Sequence, residues 1–230
     1  MSTSLTSYLN VANLPALSDA DMLSALEERS SENPSSGGGI TFLSFSGKTG
    51  KYSLGREKDE VDPDDLFVIE PQSIIEGWVC WKGNKPVERL EWSLYQRKEQ
   101  AVAEADLKDN GPYRTNMGEG WQPLLGFGVL STDGKNENIK FTVTSKSGRN
   151  AVEDIVEEIK ARMRAGDPSM PLIGFDAETF VAQEQKNYKP KFVIDAWVTR
   201  EAFASYLNGD LDLDELAAGD IPKKKKSRKK

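Results

Sequence analysis

The region from Ile40 to Val198 is a succession of short segments rich in β-branched and aromatic residues, separated by Gly, Pro and Asn. Segments of this kind favour strands, and the residues between them favour turns. In IKFTVT, the apolar residues Ile139, Phe141 and Val143 alternate with polar residues, which indicates a strand buried on one face. The other predicted strands are ITFLSF, KYSL, LFVIEP, IIEGWVCWKG, VERLEWSLYQ, WQPLLGFGVLS, PLIGF and KFVIDAWV.

One long amphipathic helix interrupts this pattern, from Asn150 to Ala165, and Gly166 and Pro168 end it. A single long helix among many short strands is expected to cover one side of the sheet. We therefore predict a β-rich α+β fold, namely an OB-like or related small antiparallel β-barrel with one covering amphipathic helix. A second, brief helix is predicted at EAFASYLNG. The apolar stripe of the long helix consists of Val152, Ile155, Val156, Ile159 and Met163.

Three parts of the chain differ in composition. Residues 1–39 hold a predicted short helix, SDADMLSALEER, and a linker, SSENPSSGGG, whose Ser and Gly residues favour flexibility. Residues 40–207 contain the predicted strands and the long helix, and they form the predicted core domain. Residues 208–230 combine the acidic and apolar GDLDLDELAAGD with the polybasic KKKKSRKK, and such compositions rarely fold alone. The sequence therefore predicts one folded domain between flexible ends.

Charge is distributed unevenly along the chain. The formal net charge is −7, but seven Lys and Arg residues lie within the last eight positions. The preceding 222 residues hold 23 basic and 37 acidic residues, a net charge of −14. Such a body argues against a broad surface that coats nucleic acid, although a local basic groove remains compatible with it. The basic tail has three interpretations: contact with nucleic acid, docking to an acidic partner or to DLDLDEL, and a nuclear-import-like or solubilising end.

The sequence offers few groups for catalysis. It contains no histidine, which removes the commonest general base and a frequent metal ligand. The single cysteine, Cys80, lies in the apolar run GWVCWK and is predicted to be buried and unreactive. SGKTG resembles part of a phosphate-binding loop, but Phe42 stands where that motif requires Gly, so a hairpin turn is predicted instead. We predict no enzyme, no metal and no cofactor, and we rank last a metal-dependent nuclease using Asp64, Glu70 and Asp195.

Nothing in the sequence points to a membrane or to export. No stretch approaches the roughly 18 consecutive apolar residues that a membrane span needs. The N-terminal MSTSLTSYLN lacks the basic and apolar regions of a signal peptide. A single cysteine fits a reducing compartment. We therefore expect a soluble cytoplasmic protein without a membrane partner.

Aromatic and basic residues are interleaved in several parts of the predicted domain. Single-stranded nucleic acid is bound by this combination, because bases stack on aromatic faces for roughly 1–3 kcal/mol each while cations contact phosphates. Alternation along a strand places Trp78 and Trp81 on opposite faces unless a bulge intervenes, so about half of these aromatics are expected in the core. The predicted nucleic-acid-binding residues are Trp81, Lys82, Lys85, Trp92, Arg114, Trp121, Lys140, Lys146, Arg149, Lys186, Tyr188 and Lys189.

Three stretches of the chain carry a family resemblance: FVIEPQSIIEGWVCW, TSKSGRNAV, and the order PLIGF, KNYKPKF, VIDAWV. Over roughly Leu66 to Val198 the chain resembles a group of uncharacterised bacteriophage proteins encoded near replication genes. That resemblance implies an early protein of the DNA-replication module in an infected bacterial host, with an OB-like barrel that binds single-stranded DNA. Where members of the group often have a histidine-lysine pair, this chain has Gln185 and Lys186.

Two hypotheses of function follow from the sequence. The first is sequence-independent binding of single-stranded DNA in phage replication or recombination, with GDLDLDELAAGD recruiting replication proteins. The second is a protein-interaction or host-modulating phage protein, whose acidic surface engages a basic host protein and whose aromatics belong to the core. The two differ in whether aromatic and basic side chains are available on the surface of the folded domain.

Overall fold

The computed structural model describes residues 40–133, 139–182 and 185–218. The predicted N-terminal helix and linker and the polybasic tail lie outside these residues, so they stay predictions. Ten strands and four α-helices occur in the described chain. The strands are β1 Thr41–Phe45, β2 Tyr52–Leu54, β3 Asp59–Glu60, β4 Leu66–Ile69, β5 Ile75–Lys82, β6 Lys85–Ser93, β7 Gly120–Ser131, β8 Ile139–Val143, β9 Met170–Ala182 and β10 Gln185–Val198. The helices are α1 Arg97–Gln100, α2 Lys146–Arg164, α3 Arg200–Leu207 and α4 Leu213–Ala217.

The strands form one sheet in the order β10-β9-β4-β7-β8-β1-β2-β3, and β5 joins β7 and carries β6 on its other edge. Neighbouring strands are antiparallel except β1 and β8, which run parallel. The sheet is therefore mixed, whereas an antiparallel one was predicted. It is strongly curled into a half-barrel, so the prediction of a β-rich, barrel-like fold is confirmed in this coarser form. The parallel pair arises because β1 pairs with a strand nearly 100 positions later, a distance at which no turn fixes the direction.

Two contacts join distant parts of the curled sheet. The Tyr52 hydroxyl on β2 donates to the carbonyl oxygen of Asp176 at 2.9 Å and accepts from the amide of Lys191 at 3.1 Å. The amide of Tyr188 on β10 donates to the carbonyl oxygen of Gly47, in the turn between β1 and β2, at 2.9 Å. Because β2 and β10 are far apart in the strand order, these bonds hold the curl.

The inside of the curled sheet is filled with aromatic rings. Tyr52 stacks on Phe175 with ring centroids 4.8 Å apart, and Phe127 meets the edge of Phe192 at 5.2 Å. Helix α2 packs its apolar stripe against this cluster through three fully buried residues, as predicted: Val152, Ile155 and Ile159. The hydrophobic burial of these rings and side chains is the main favourable free energy of the fold.

Helix α2 begins four residues earlier than predicted, because its first turn packs against β8. Ser145 caps it by accepting a hydrogen bond from the amide of Gly148. Gly148 is buried, and a Cβ atom there would lie 2.2 Å from Cγ2 of Val143. Only glycine therefore fits at this close approach between helix and strand.

A second apolar cluster lies under the C-terminal helices. Leu211 and Leu216 are buried in it with Val198 and Phe203. Asp212 and Glu215 form a reciprocal capping box at the start of α4. The acidic-apolar segment is thus packed on the domain as far as Ala218, beyond the predicted boundary at residue 207, because its leucines recur at a spacing that a short helix can bury.

Candidate nucleic-acid interface

Strands β5 and β6 with residues 120–126 of β7 form a three-stranded unit, here called the arm. One face of the arm carries Trp78 and Trp121, and the segment between α1 and β7, here called the covering segment, contacts it at Val102 and Lys108. The indole N–H of Trp78 donates to the carbonyl oxygen of Val102, and that of Trp121 to the carbonyl oxygen of Lys108, both at 2.8 Å. These tryptophans therefore hold the covering segment in place.

Trp92 is also engaged inside the arm. Only 7% of the residue is exposed, and its indole N–H donates to Oε1 of Glu76 at 2.8 Å. Of the predicted stacking residues, Trp92 and Trp121 thus make intramolecular contacts in the described structure. The contact of Trp121 could not be predicted, because the segment that accepts its hydrogen bond lies in a polar stretch of sequence with no clear pattern.

Two of the predicted cations tie the same covering segment to the arm. Nζ of Lys82 donates to the carbonyl oxygen of Asn110 at 3.1 Å. Arg114 pairs with Glu119, whose carboxylate also accepts from the amide of Gly83 at 3.0 Å. The Glu119 side chain is 4% exposed, and the hydrogen bond from the Arg114 side chain lowers its pKa to about 2. Arg114 itself remains 61% exposed and presents part of its guanidinium to solvent.

Trp81 and Lys85 differ from the other residues of the arm. Trp81 is half-buried on the face opposite Trp78. A bulge at Val87 in β6 shifts the register beside Trp81, but alternation along β5 persists, so the two tryptophans diverge as predicted. Lys85 is exposed, and within the described residues neither its ammonium nor the Trp81 indole N–H has a hydrogen-bonding partner.

The cations around β8 and the start of α2 have mixed environments. Lys140 forms an ion pair with Glu91 of β6, and Glu91 also pairs with Arg89. Arg149 donates to the carbonyl oxygens of Pro123 and Thr144. Lys146 is exposed and has no ion pair in the part of the chain that the structure describes. Lys140 and Arg149 therefore serve the fold, and Lys146 is available for a ligand.

Strands β9 and β10 extend well beyond the predicted segments PLIGF and KFVIDAWV. Met170 pairs with Val198 at one end of the β9–β10 ladder, and Ala182 pairs with Gln185 at the other. Strand β4 pairs with β9 only near the beginning of β9. The distal part is a two-stranded ribbon. At its outer end, Phe180 is 39% and Val181 76% exposed.

Basic side chains and an aromatic ring meet on this ribbon. Nζ of Lys186 lies 5.2 Å from the centroid of the Tyr188 ring, and Lys189 pairs with Glu178 at 3.1 Å. The Tyr188 ring packs on Gly50 in the turn after β1, where a Cβ atom would lie 2.6 Å from Cδ1 of the ring. The same turn presents Lys48, which is exposed and unpaired among the described residues. We call Lys48, Lys186 and Tyr188 the ribbon surface; Lys189, the next residue after Tyr188 in β10, points to the other face of the ribbon.

Sequence reasoning missed Lys48 as a site residue. The sequence SGKTG predicts a hairpin turn, and the structure has a turn there between β1 and β2. The partner strand that brings Lys186 and Tyr188 to this turn comes about 140 residues later. No local pattern signals that contact.

The three carboxylates of the nuclease hypothesis lie in different elements of the structure. Glu70 pairs with Arg200 and caps the turn at Pro71–Ser73. Asp64 is exposed in the turn before β4, and Asp195 is exposed on β10. Among residues 40–133, 139–182 and 185–218, no group of three or more Cys, Asp or Glu side chains is arranged to hold a metal ion.

No family model, curated protein or solved structure matches this chain. The resemblance to phage replication-module proteins therefore stays an expectation. Within the described chain, no helix is both long and apolar enough to cross a membrane.

Proposed function

We propose that this protein binds single-stranded DNA independently of sequence, through the ribbon surface, in phage DNA replication or recombination. The observation that carries the proposal is the contact between Lys186 and the Tyr188 ring beside Lys48, which has no ion pair within the described chain. A base that stacks on Tyr188 would displace the Lys186 ammonium, which then lies next to the phosphate of the same nucleotide. Stacking combined with nearby cations is the general mode of single-strand binding.

The fold and the charge pairing are compatible with this function. Small barrels of the OB type bind oligonucleotides on an open sheet surface, and we propose that the half-barrel belongs with them. On the ribbon and the adjoining turn, three lysines are neutralised by carboxylates, namely Lys51 by Glu60, Lys189 by Glu178 and Lys191 by Asp176. Among the residues that the structure describes, Lys48 and Lys186 have no carboxylate partner, which gives a small local excess of positive charge on an acidic protein.

Tyr188→Ala tests the ribbon surface directly. Loss of one stacked base costs about 1–3 kcal/mol, so the dissociation constant for fluorescein-labelled oligo-dT should rise about 5- to 150-fold in fluorescence anisotropy. Tyr95→Ala is the matched control, because Tyr95 is an exposed tyrosine outside the ribbon surface. Equal affinities of the wild type and Tyr188→Ala would remove the ribbon from the proposal.

A protein-interaction function is the alternative, and the exposure of Phe180 and Val181 favours it. Exposed apolar residues next to each other on a two-stranded ribbon are typical of surfaces that a partner covers. A pull-down from host lysate after nuclease treatment separates the two functions. A partner bridged by DNA is lost, and a partner bound directly to the ribbon is retained by the wild type but lost with Val181→Lys.

A further inference from the structure

A small cavity opens at the tip of the arm, on the face that carries Trp81. Its volume is about 270 Å³, and it is lined by Trp81, Asn84, Met117, Gly118, Glu119 and Gln122. This volume lies just below the usual range of small-molecule sites, so it suits one small planar group and not a larger ligand.

The walls of the cavity are fixed by backbone geometry and hydrogen bonds. The β5–β6 turn has positive φ angles at Gly83 and Asn84, of 58° and 61°. Oε1 of Glu119 accepts from the amide of Gly83 at 3.0 Å and thereby ties this turn to the opposite wall. Nε2 of Gln122 donates to the carbonyl oxygen of Gly118 at 2.7 Å. A ligand thus meets a site that is already formed, which reduces the entropy lost on binding.

The polar groups that line the cavity differ in how far their hydrogen-bonding capacity is already used within the protein. The Glu119 carboxylate is saturated by Arg114 and Gly83, so it offers little to a ligand. Among the residues that the structure describes, the side-chain amide of Asn84 and the indole N–H of Trp81 have no partner. Since Gln122 is anchored through its nitrogen, its Oε1 atom remains an acceptor. The arm's other three tryptophans all donate their N–H groups within the protein, so Trp81 alone among the four is available.

We propose that this cavity binds a single nucleobase, which stacks on Trp81 and bonds to the amides of Asn84 and Gln122. The inference rests on the proposed function and adds a second, separate contact with the single strand. An indole face, a soft methionine and amide groups are complementary to the flat π-face and polar edge of a base. Because an amide both donates and accepts, Asn84 can pair with the edge of any base, in keeping with sequence-independent binding.

Cations flank the cavity where the phosphates of that nucleotide would lie. Lys85 follows Asn84 directly and is exposed without an ion pair in the described chain. Arg114 bonds to Glu119 in the cavity wall and is more exposed than buried. These two residues were predicted to bind nucleic acid, and their position beside the Trp81 cavity gives them a common ligand.

The test compares oligonucleotides with and without bases. Anisotropy is measured for labelled oligo-dA and for an abasic oligomer of the same length, both with the full-length protein. Trp81→Ala should weaken oligo-dA binding about 5- to 150-fold and leave abasic binding unchanged within about twofold, since only stacking is lost. Trp81→Phe should lose less affinity for oligo-dA than Trp81→Ala, because an aromatic face remains.

Two further variants distinguish the loss of a contact with the base from misfolding of the protein. Asn84→Gly retains a residue that tolerates positive φ and removes the amide, so a selective loss for oligo-dA is expected without a change in circular dichroism. Lys98→Ala, an exposed cation on α1 that does not line the cavity, is the matched control and should leave the selectivity between the two oligomers unchanged.

The outcomes separate this inference from the function it rests on. If Trp81→Ala and Asn84→Gly reduce binding to both oligomers equally, or to neither, while Tyr188→Ala still weakens oligo-dA, the nucleobase site is wrong and the single-strand function stands. If the wild type binds neither oligomer at low salt, both are wrong.

Discussion

At the residue scale, Glu119 shows how one carboxylate can organise a surface. It accepts hydrogen bonds from the backbone and side chain of Arg114 and from the amide of Gly83. These bonds favour the ionised form and explain why the pKa of Glu119 falls to about 2. The hydrogen bond from the Gly83 amide to Glu119 joins the β5–β6 turn to the segment before β7, so this carboxylate sets the shape of the arm's tip.

Glu119→Gln should lower the stability of the protein in a pH-dependent way. A carboxyl group whose pKa falls from 4.5 to about 2 on folding stabilises the folded state above pH 4.5, and this contribution is lost as the pH falls towards 2. The melting temperature of the variant should therefore lie below that of the wild type at pH 7. The difference between the two should shrink between pH 4.5 and pH 2. A difference independent of pH would show that ionisation of Glu119 does not stabilise the fold.

Residue types could be predicted from the sequence, but their partners could not. In the sequence, Lys140 and Lys186 are both predicted to be cations that bind nucleic acid. Folding places Lys140 against Glu91, 49 positions away, and leaves Lys186 on the half-buried ring of Tyr188. The environment of each lysine thus depends on contacts between segments distant in sequence, which local patterning does not encode.

At the scale of elements, the hydroxyl of Tyr52 links β2 to the β9–β10 ribbon. Burial raises the pKa of Tyr52, in keeping with a hydroxyl that stays protonated and donates to Asp176. Most strands and the long helix could be predicted because period-2 and period-3.6 patterns are local. The parallel pairing of β1 with β8 and the length of the ribbon could not, because the pairing is nonlocal and the distal part of β10, QKNYKPK, is mostly polar.

Tyr52→Phe should destabilise the fold without changing its architecture. The substitution keeps the ring in the aromatic core and leaves the part-buried carbonyl of Asp176 and the amide of Lys191 without this partner. The expected loss is about 1–3 kcal/mol in the free energy of unfolding, measured by urea denaturation. Phe45→Leu, a change in the same cluster that removes no hydrogen bond, provides the comparison for ring packing alone. Unaltered stability of Tyr52→Phe would mean that this hydroxyl does not hold the curl.

At the scale of the whole molecule, the described domain and the basic tail offer DNA different kinds of contact. In the described domain, an aromatic ring lies near a cation without a carboxylate partner in two places: Tyr188 with Lys48 and Lys186 on the ribbon surface, and Trp81 with Lys85 at the cavity. The tail, at Lys223 to Lys230, carries seven of the chain's 30 basic residues and is an obvious alternative source of affinity for DNA. A polybasic segment alone gives electrostatic binding without stacking.

The most direct measurement is a salt-dependent titration of labelled oligo-dT with the full-length protein and with a chain that ends at Pro222. We expect the shorter chain to bind more weakly and with a shallower salt dependence, because fewer cations contact phosphates. It should still quench tryptophan fluorescence on binding and still lose affinity with Tyr188→Ala. Complete loss of binding at low salt in the shorter chain would contradict the account, because all affinity would then belong to the tail.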